Sequence, residues 1–277
     1  MRRALTPVME GARFDTVVAR RPDLRVPFPK GFASRLEGRT VRTLSRRGKY
    51  LLAELDSGDV LLMHLGMSGA FRVEHTNSGA LHGAAVKHDH VVFGMSSGAT
   101  VTFNDPRRFG FMDLVPSEKL ARHRALSALG PEPLAAEFGA AVLAHACRGK
   151  KTSLKAALSD QRVVAGLGNI YVCEALHRAR LSPRRRAATI ATRTGAPRDT
   201  AQRLAAAITK VLNDAIKRSV ALQQGEPDAR EVTAYFPSRF RVYDREGARC
   251  PTAGCTGVVK RIVQAGRSTF FCPVCQR

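Results

Sequence analysis

The sequence predicts an α+β multidomain protein: an antiparallel β-sandwich or barrel first, a helical half after it, and a metal-clamped β-hairpin last. Three observations carry this. Between Arg13 and Val115, short segments rich in Val, Leu and Phe alternate with turn residues, and no helix-length periodic run interrupts them. Past Leu129-Gly-Pro-Glu-Pro133 the apolar period becomes helical. Two close cysteine pairs, Cys250-Pro-Thr-Ala-Gly-Cys255 and Cys272-Pro-Val-Cys275, then frame sixteen residues, enough for a short hairpin.

In chain order, residues 1 to 10 read as a helix with Leu5 and Val8 or Met9 on one side and Arg2 and Arg3 on the other. It carries no N-cap signal, so it begins in mid-element. Candidate strands follow at Val41–Ser45, Tyr50–Leu55, Val60–His64, Ala70–Glu74, His90–Gly94 and Thr100–Phe103, with hairpin-type turns at Ser57-Gly58 and Ser97-Gly98. Beyond the Pro-rich connector, Ala135–Ala146, Ser153–Leu158 and Asn169–Arg178 read as helices. The clearest is Thr200–Arg218, where Leu204, Ile208, Val211, Leu212 and Ala215 recur at helical spacing. Gln223 to Glu231, with Gly225 and Pro227, reads as a mobile loop before the hairpin. No internal repeat is present.

The chain of 277 residues carries 45 Lys and Arg against 23 Asp and Glu, a net charge of +22. An excess this large points to a polyanionic partner, and nucleic acid is the usual one. No apolar run reaches the roughly 18 residues of a membrane span, and no signal-peptide core is found, so the expected location is the cytoplasm. Cys147 and Cys173 stand alone in apolar helical contexts and read as packing thiols. The other four have the layout of a tetrahedral thiolate zinc site, although the first pair has four intervening residues instead of the commoner two. The competing readings are two disulfides or four idle thiols. Lys260, Arg261 and Arg267 between the pairs predict a cationic hairpin tip suited to a phosphate backbone.

Four more stretches invite a chemical reading, each beside a bland one. Gly166-Leu-Gly168-Asn169 is not a dinucleotide fingerprint, because position 171 is Tyr and no βαβ unit surrounds it. It reads as a close backbone approach with Asn169 capping a helix whose N–H groups face an anion, or as helix-turn-helix packing with no ligand. Leu65-Gly66-Met67-Ser68-Gly69 places a methionine in a tight turn, as a wedge between bases or as core filler. Asp105-Pro-Arg107-Arg108-Phe109-Gly110 offers arginines and an aromatic for an orphaned base, or is a solvated turn over a buried Phe. Lys87-His88-Asp-His90 has ligand-like spacing on a strand, but such a pair more often contacts phosphate or packs. Lys49, in Arg46-Arg-Gly-Lys49, is locally one more surface cation.

Together these motifs are highly specific. Arg-Gly-Lys49-Tyr, His64-Leu-Gly-Met67-Ser-Gly, Lys-His88-Asp-His, Asp-Pro-Arg107-Arg-Phe109-Gly, Leu-Gly-Pro-Glu-Pro133, Gly-Leu-Gly-Asn169-Ile-Tyr and Gly-Arg267-Ser-Thr-Phe-Phe-Cys272 run over nearly the whole chain. With them the chain resembles the bacterial formamidopyrimidine-DNA glycosylase family. The resemblance implies a β-sandwich over 1–122, a linker at 123–134, a helix-two-turns-helix domain at 135–232 and a zinc finger at 233–277 that holds one structural Zn2+ on Cys250, Cys255, Cys272 and Cys275. It implies a monomer acting on double-stranded DNA that carries oxidised bases or abasic sites, associated with the nucleoid through that DNA. Such enzymes excise oxidised purines, including 8-oxoguanine and formamidopyrimidines, then nick the strand by β,δ-elimination. Met67, Arg107 and Phe109 would fill the gap left by the flipped base. Lys49, His88, Lys150, Asn169 and Arg267 would hold phosphates, with His64 among the DNA-contacting residues and Lys49 and Arg267 as helpers in elimination. The endonuclease VIII branch, which prefers oxidised pyrimidines, is the runner-up, and Met67 with the Arg107/Phe109 pair favours the purine branch.

In that family the chemistry starts from an N-terminal proline followed by glutamate. A terminal amine, with a pKa of about 8, is a better neutral-pH nucleophile than an ordinary Lys at about 10.4. Met1-Arg-Arg-Ala-Leu matches the middle of the family's first helix, so the resemblance places that opening about eight residues, or about 12 Å of helix, ahead of Met1. Two expectations follow from this: a start assigned too late in an active enzyme, favoured by the missing N-cap, or a shorter chain that binds damaged DNA without excising. Lys49 as a replacement nucleophile would support elimination at abasic sites only.

Overall fold

The computed structural model describes residues 1–75, 86–225, 231–232 and 240–277. The chain divides into two compact units, Met1–Ser127 with Gln223–Phe236, and Ala128–Leu222 with Pro237–Arg277.

The first unit is a sandwich entered by helix α1 (Arg2–Met9), which buries Leu5, Val8 and Met9 as its stripe predicts. The strands that follow are β1 (Phe14–Ala19), β2 (Val41–Arg47), β3 (Tyr50–Leu55), β4 (Asp59–His64), β5 (Ala70–His75), β6 (Asp89–Met95), β7 (Ala99–Asn104) and β8 (Phe111–Pro116), with a short helix α2 (Phe32–Leu36) between β1 and β2. They form one sheet in the order β2-β3-β4-β8 and another in the order β1-β6-β7-β5-β9, where β9 is Glu231–Val232. All pairings are antiparallel. The inner faces interdigitate through Phe14, Phe71, Phe93 and Phe103 from one sheet and Leu44, Leu51, Leu61 and Met112 from the other. Two tilted ring pairs, Phe14 with Phe93 and Phe71 with Phe103, lie 5.3 and 5.2 Å apart. The continuous apolar runs of β3 and β4 have a cause: their outer face, at Leu52, Val60 and Leu62, is covered by Leu120, Ala125 and Leu126, which follow β8.

All six expected strands are present, Tyr50–Leu55 with its expected bounds and the other five extended by one or two residues. Three further strands of these sheets, β1, β8 and the two-residue β9, lie outside those six. A register shift between Phe14 and Thr16 breaks the alternation of β1, and β8 is an edge strand ending on a proline.

The second unit packs α4 (Ala140–Cys147), α5 (Leu154–Ser159), α6 (Asn169–Arg178), a 3-10 turn at Ala187–Ile190 and α7 (Asp199–Gly225) around Leu143, Leu158, Val172, Leu176, Ile190, Leu204 and Ile208. A single turn, α3 (Ser117–Leu120), precedes them in the first unit. Helix α4 starts at Ala140, five residues later than expected, because Gly139 stands extended at its N-cap and the stretch before it is made of turns. The loop expected from Gln223 is also corrected. Residues 223–225 continue α7 and 231–232 pair with β5, while 226–230 lie outside the described residues. Strands β10 (Lys260–Gln264) and β11 (Arg267–Phe271) form the expected hairpin, seated on α6 through Cys173, Val242, Val259 and Phe270.

Candidate nucleic-acid interface and metal centre

In the sandwich, the register Tyr50↔His64↔Phe111 places three strand ends side by side, and the turns beyond them carry the candidate residues. Lys49 is the second residue of the tight β2–β3 turn, after Gly48 at φ 58. His64 closes β4. Its Nδ1 accepts the Gly66 N–H at 3.0 Å, and its ring lies against Phe111 and Tyr50. Burial pushes the imidazole down to about 4, with the Lys49 and Arg25 charges acting in the same direction. The ring is therefore neutral with Nδ1 occupied, so its remaining donor is Nε2–H.

The turn 65–69 and the loop 105–110 are fitted to each other without side chains. A Cβ on Gly66, which sits at φ 66, would meet the Phe109 carbonyl carbon at 2.4 Å, and one on Gly110 would meet the His64 carbonyl oxygen at 2.8 Å. Asp105, 0% exposed, closes the arrangement. It accepts from the Ser68 hydroxyl at 2.6 Å, the Gly110 N–H at 2.8 Å and the Arg107 N–H at 3.3 Å, while its carbonyl takes the His90 Nε2–H at 2.9 Å. Above this rigid base Met67 is 72% and Phe109 42% exposed, and the Arg107 guanidinium lies 4.7 Å over the Phe109 ring. Asp105 itself was not singled out by the sequence, although its place between a strand end and Pro-Arg-Arg is the signal that marks it.

His88 is half-buried and precedes β6 at φ 75, so only His90 is borne on a strand. The His88 carbonyl accepts the Asp105 N–H at 3.1 Å, which fixes it to the same loop. The pair belongs to no larger donor set: among the described residues, the one group of three or more metal donors is the four cysteines.

In the second unit Asn169 opens α6 but does not cap it. The N-cap is Gly168, and the Asn169 Nδ2 donates 2.9 Å to the Ser268 carbonyl, beside Arg267. Among the described residues its Oδ1 is buried without a partner, and no side chain caps the helix. The N–H groups of its first turn are thus left for water or an anion. Gln161 stitches the preceding loop, accepting the Gly166 N–H and donating to the Leu167 carbonyl. Arg267 is exposed directly after the Ala265–Gly266 turn. Lys260 and Arg261 are not at that tip: they pair with Phe271 and Phe270 at the cysteine end, because hairpin register sends early residues away from the turn.

Lys150 is half-buried in the α4–α5 loop, its backbone fixed by the Cys147 carbonyl and the Ala188 N–H. Two residues that sequence reasoning missed stand close to the α6–hairpin junction. Lys155 is fully buried, donates 3.3 Å to the Gln264 carbonyl, and is pushed below its ordinary pKa by burial, with Arg267 adding repulsion. Glu174 accepts the N–H groups of Arg241, Val242 and Tyr243 at 2.9, 2.9 and 3.0 Å, fastening the segment that leads into the hairpin onto α6. Neither has a local signature, since both are ordinary charged residues on helices.

The sulfurs of Cys250, Cys255, Cys272 and Cys275 all lie within 4.8 Å of one another. Cys250–Cys275 and Cys255–Cys272 are each 3.6 Å apart, near the edge of about 3.8 Å that zinc–sulfur bonds of about 2.3 Å demand of a tetrahedron. The residues fit one zinc ion, and none of the four forms a disulfide. Gly257 has to be glycine, because a Cβ there would meet the Cys272 sulfur at 2.5 Å. Cys147 and Cys173 are buried elsewhere, and burial pushes both thiols up to about 11, as packing cysteines require.

Comparison with known proteins gives three matched family models: the formamidopyrimidine-DNA glycosylase N-terminal domain over residues 1–112, the H2TH domain of the same enzymes over 129–224, and the zinc finger found in FPG and IleRS over 247–277. A Bradyrhizobium protein (strain BTAi1) named formamidopyrimidine-DNA glycosylase is 61% identical over 284 aligned residues, covering 100% of this chain and 97% of that protein. The protein of that name from Azorhizobium caulinodans is 56% identical with the same coverage. Among solved structures, Lactococcus lactis Fpg bound to abasic-site DNA superposes with a TM-score of 0.83 at 29% identity, over 100% of this chain and 96% of that one. The same enzyme bound to Fapy-dG DNA gives 0.83 at 28%, over 100% and 97%.

Proposed function

The chain belongs to the formamidopyrimidine-DNA glycosylase family, and we propose that it removes oxidised purines from duplex DNA with the residues assembled at its two sets of loops. The protein is a base-excision-repair DNA glycosylase and abasic-site lyase with a four-cysteine zinc finger. No helix among the described residues is long and apolar enough to cross a membrane. A cytoplasmic location, with nucleoid association through DNA, belongs to the same proposal.

In this reading an amine attacks C1′ of the damaged nucleotide, the C1′–N bond to the base breaks, and a Schiff base forms. Loss of a C2′ proton then breaks the C3′–O bond, and a second elimination breaks the C5′–O bond. Met67, Arg107 and Phe109 occupy the space of the flipped base. The observation that carries this role is their joint exposure above Asp105, where an apolar wedge and a guanidinium stacked on an aromatic ring are held on a base with no slack. Lys49, His88, Lys150, Asn169 and Arg267 hold the DNA phosphates, His64 also contacts the DNA, and Lys49 and Arg267 assist elimination. Support for Asn169 and Arg267 comes from the Asn169–Ser268 bond, which sets a helix end and a hairpin tip beside each other.

Borohydride trapping of the full-length protein on an 8-oxoguanine duplex tests this reading. A covalent adduct and base release are expected, and peptide mapping of the adduct names the attacking amine. Binding of the duplex without adduct or base release would leave a damage-binding protein.

A further inference from the structure

The first cysteine pair spans four residues, and that added length carries Thr252. Its hydroxyl lies 3.8 Å from the Cys275 sulfur and 3.3 Å from His177 Nε2, and the same nitrogen lies 3.4 Å from the Cys250 sulfur. His177 comes from α6, is 2% exposed, and among the described residues its Nδ1 is buried with no partner.

Donor counting fixes the arrangement. A zinc-bound thiolate accepts and does not donate. If the imidazole proton sat on Nδ1, that N–H would be buried with no acceptor, and the Nε2 lone pair would face the lone pairs of Cys250. With the proton on Nε2, the N–H points at Cys250 and the Thr252 oxygen, the Thr252 O–H is free to turn to Cys275, and one acceptor nitrogen is left alone in place of a buried donor and facing lone pairs. On the other half of the centre, the Gly257 N–H already donates to Cys255 at 3.4 Å.

We propose that His177 and Thr252 are positioning residues for the zinc centre, a donor relay that withdraws charge from the Cys250 and Cys275 thiolates and so strengthens retention of the ion. Four thiolates around Zn2+ leave a net charge of 4 − 2 = 2 negative units on partly buried sulfurs, and hydrogen-bond donors around them offset it. A helix supplies one of those donors here, so the metal is tied to α6 by a side chain as well as by the packing of Cys173 and Phe270. The inference rests on the zinc centre and is independent of glycosylase activity.

The test uses the full zinc-loaded chain. In the unmutated protein, long-range proton–nitrogen correlation of the His177 ring is expected to place its proton on Nε2, and a proton on Nδ1 would overturn the proposal. Competition with a chromophoric chelator is expected to show zinc bound about 10- to 100-fold more weakly in His177→Phe, with partial rescue in His177→Gln, whose amide can donate. With Co2+ in place of zinc, the sulfur-to-metal charge-transfer band of His177→Phe should move to lower energy, because a thiolate without a donor gives up its electron more readily. Unchanged affinity and band in His177→Phe, or equal weakening in both variants with an unmoved band, would each refute the relay. A chain that holds no zinc at all would refute the relay and the zinc centre together.

Discussion

Asp105 has no exposed surface and gathers two loops onto one carboxylate. Asp105→Ala would leave the Ser68 hydroxyl and the Gly110 N–H without their acceptor, and the Arg107 N–H with the Ser68 oxygen alone, at a cost of about 2–4 kcal/mol in urea denaturation. Base release should fall further than stability alone explains, because Met67 and Phe109 lose their fixed base. His64 gives a pH signature. Its folded pKa of about 4 lies below the ordinary 6.5, so between those values the unfolded chain binds more protons than the folded one. Stability is therefore full above pH 6.5, declines as pH falls towards 4, and loses nothing more from this group below it. Urea midpoints measured from pH 7 to 4 should trace that decline, and His64→Gln should make it shallower.

At the scale of elements, α6 is the piece on which the second unit converges: its first residue bonds β11, its sixth holds the segment into the hairpin, and its ninth reaches the metal ligands. Glu174→Ala removes three hydrogen bonds at once. Amide exchange at 241–243 should accelerate by an order of magnitude or more, consistent with loss of about 2 kcal/mol of local protection, while exchange in β3 and β4 stays as it was. Local sequence made most of this architecture legible, because alternation and turn residues act over a few positions, and Gly66, Met67, Arg107 and Phe109 all lie in short punctuated loops. What escaped is what depends on distant partners. Asn169 looks like a cap but bonds Ser268, ninety-nine positions away. Lys155 and Glu174 look like solvated charges until the hairpin bonds the first and the segment leading into it bonds the second. Lys260 and Arg261 were placed at a tip by proximity in sequence, whereas pairing register decides it.

At the scale of the molecule, the core of the sandwich and the core of the helical unit share no residue. Chelation of the zinc should therefore be a local event. The hairpin and residues 240–250 are expected to lose protection and proteolytic resistance, DNA affinity should drop with them, and the sandwich should keep its strand signal in circular dichroism. Simultaneous melting of both units on metal removal would show a coupling that their cores do not contain. The strand Glu231–Val232 has a different reach, since it pairs with β5 at the edge of a sheet otherwise finished by residue 104. During synthesis that edge stays bare until most of the polypeptide has emerged, and a fragment cut after Ser127 would keep it bare for good. Such a fragment is an open template for adhesion to its own copies.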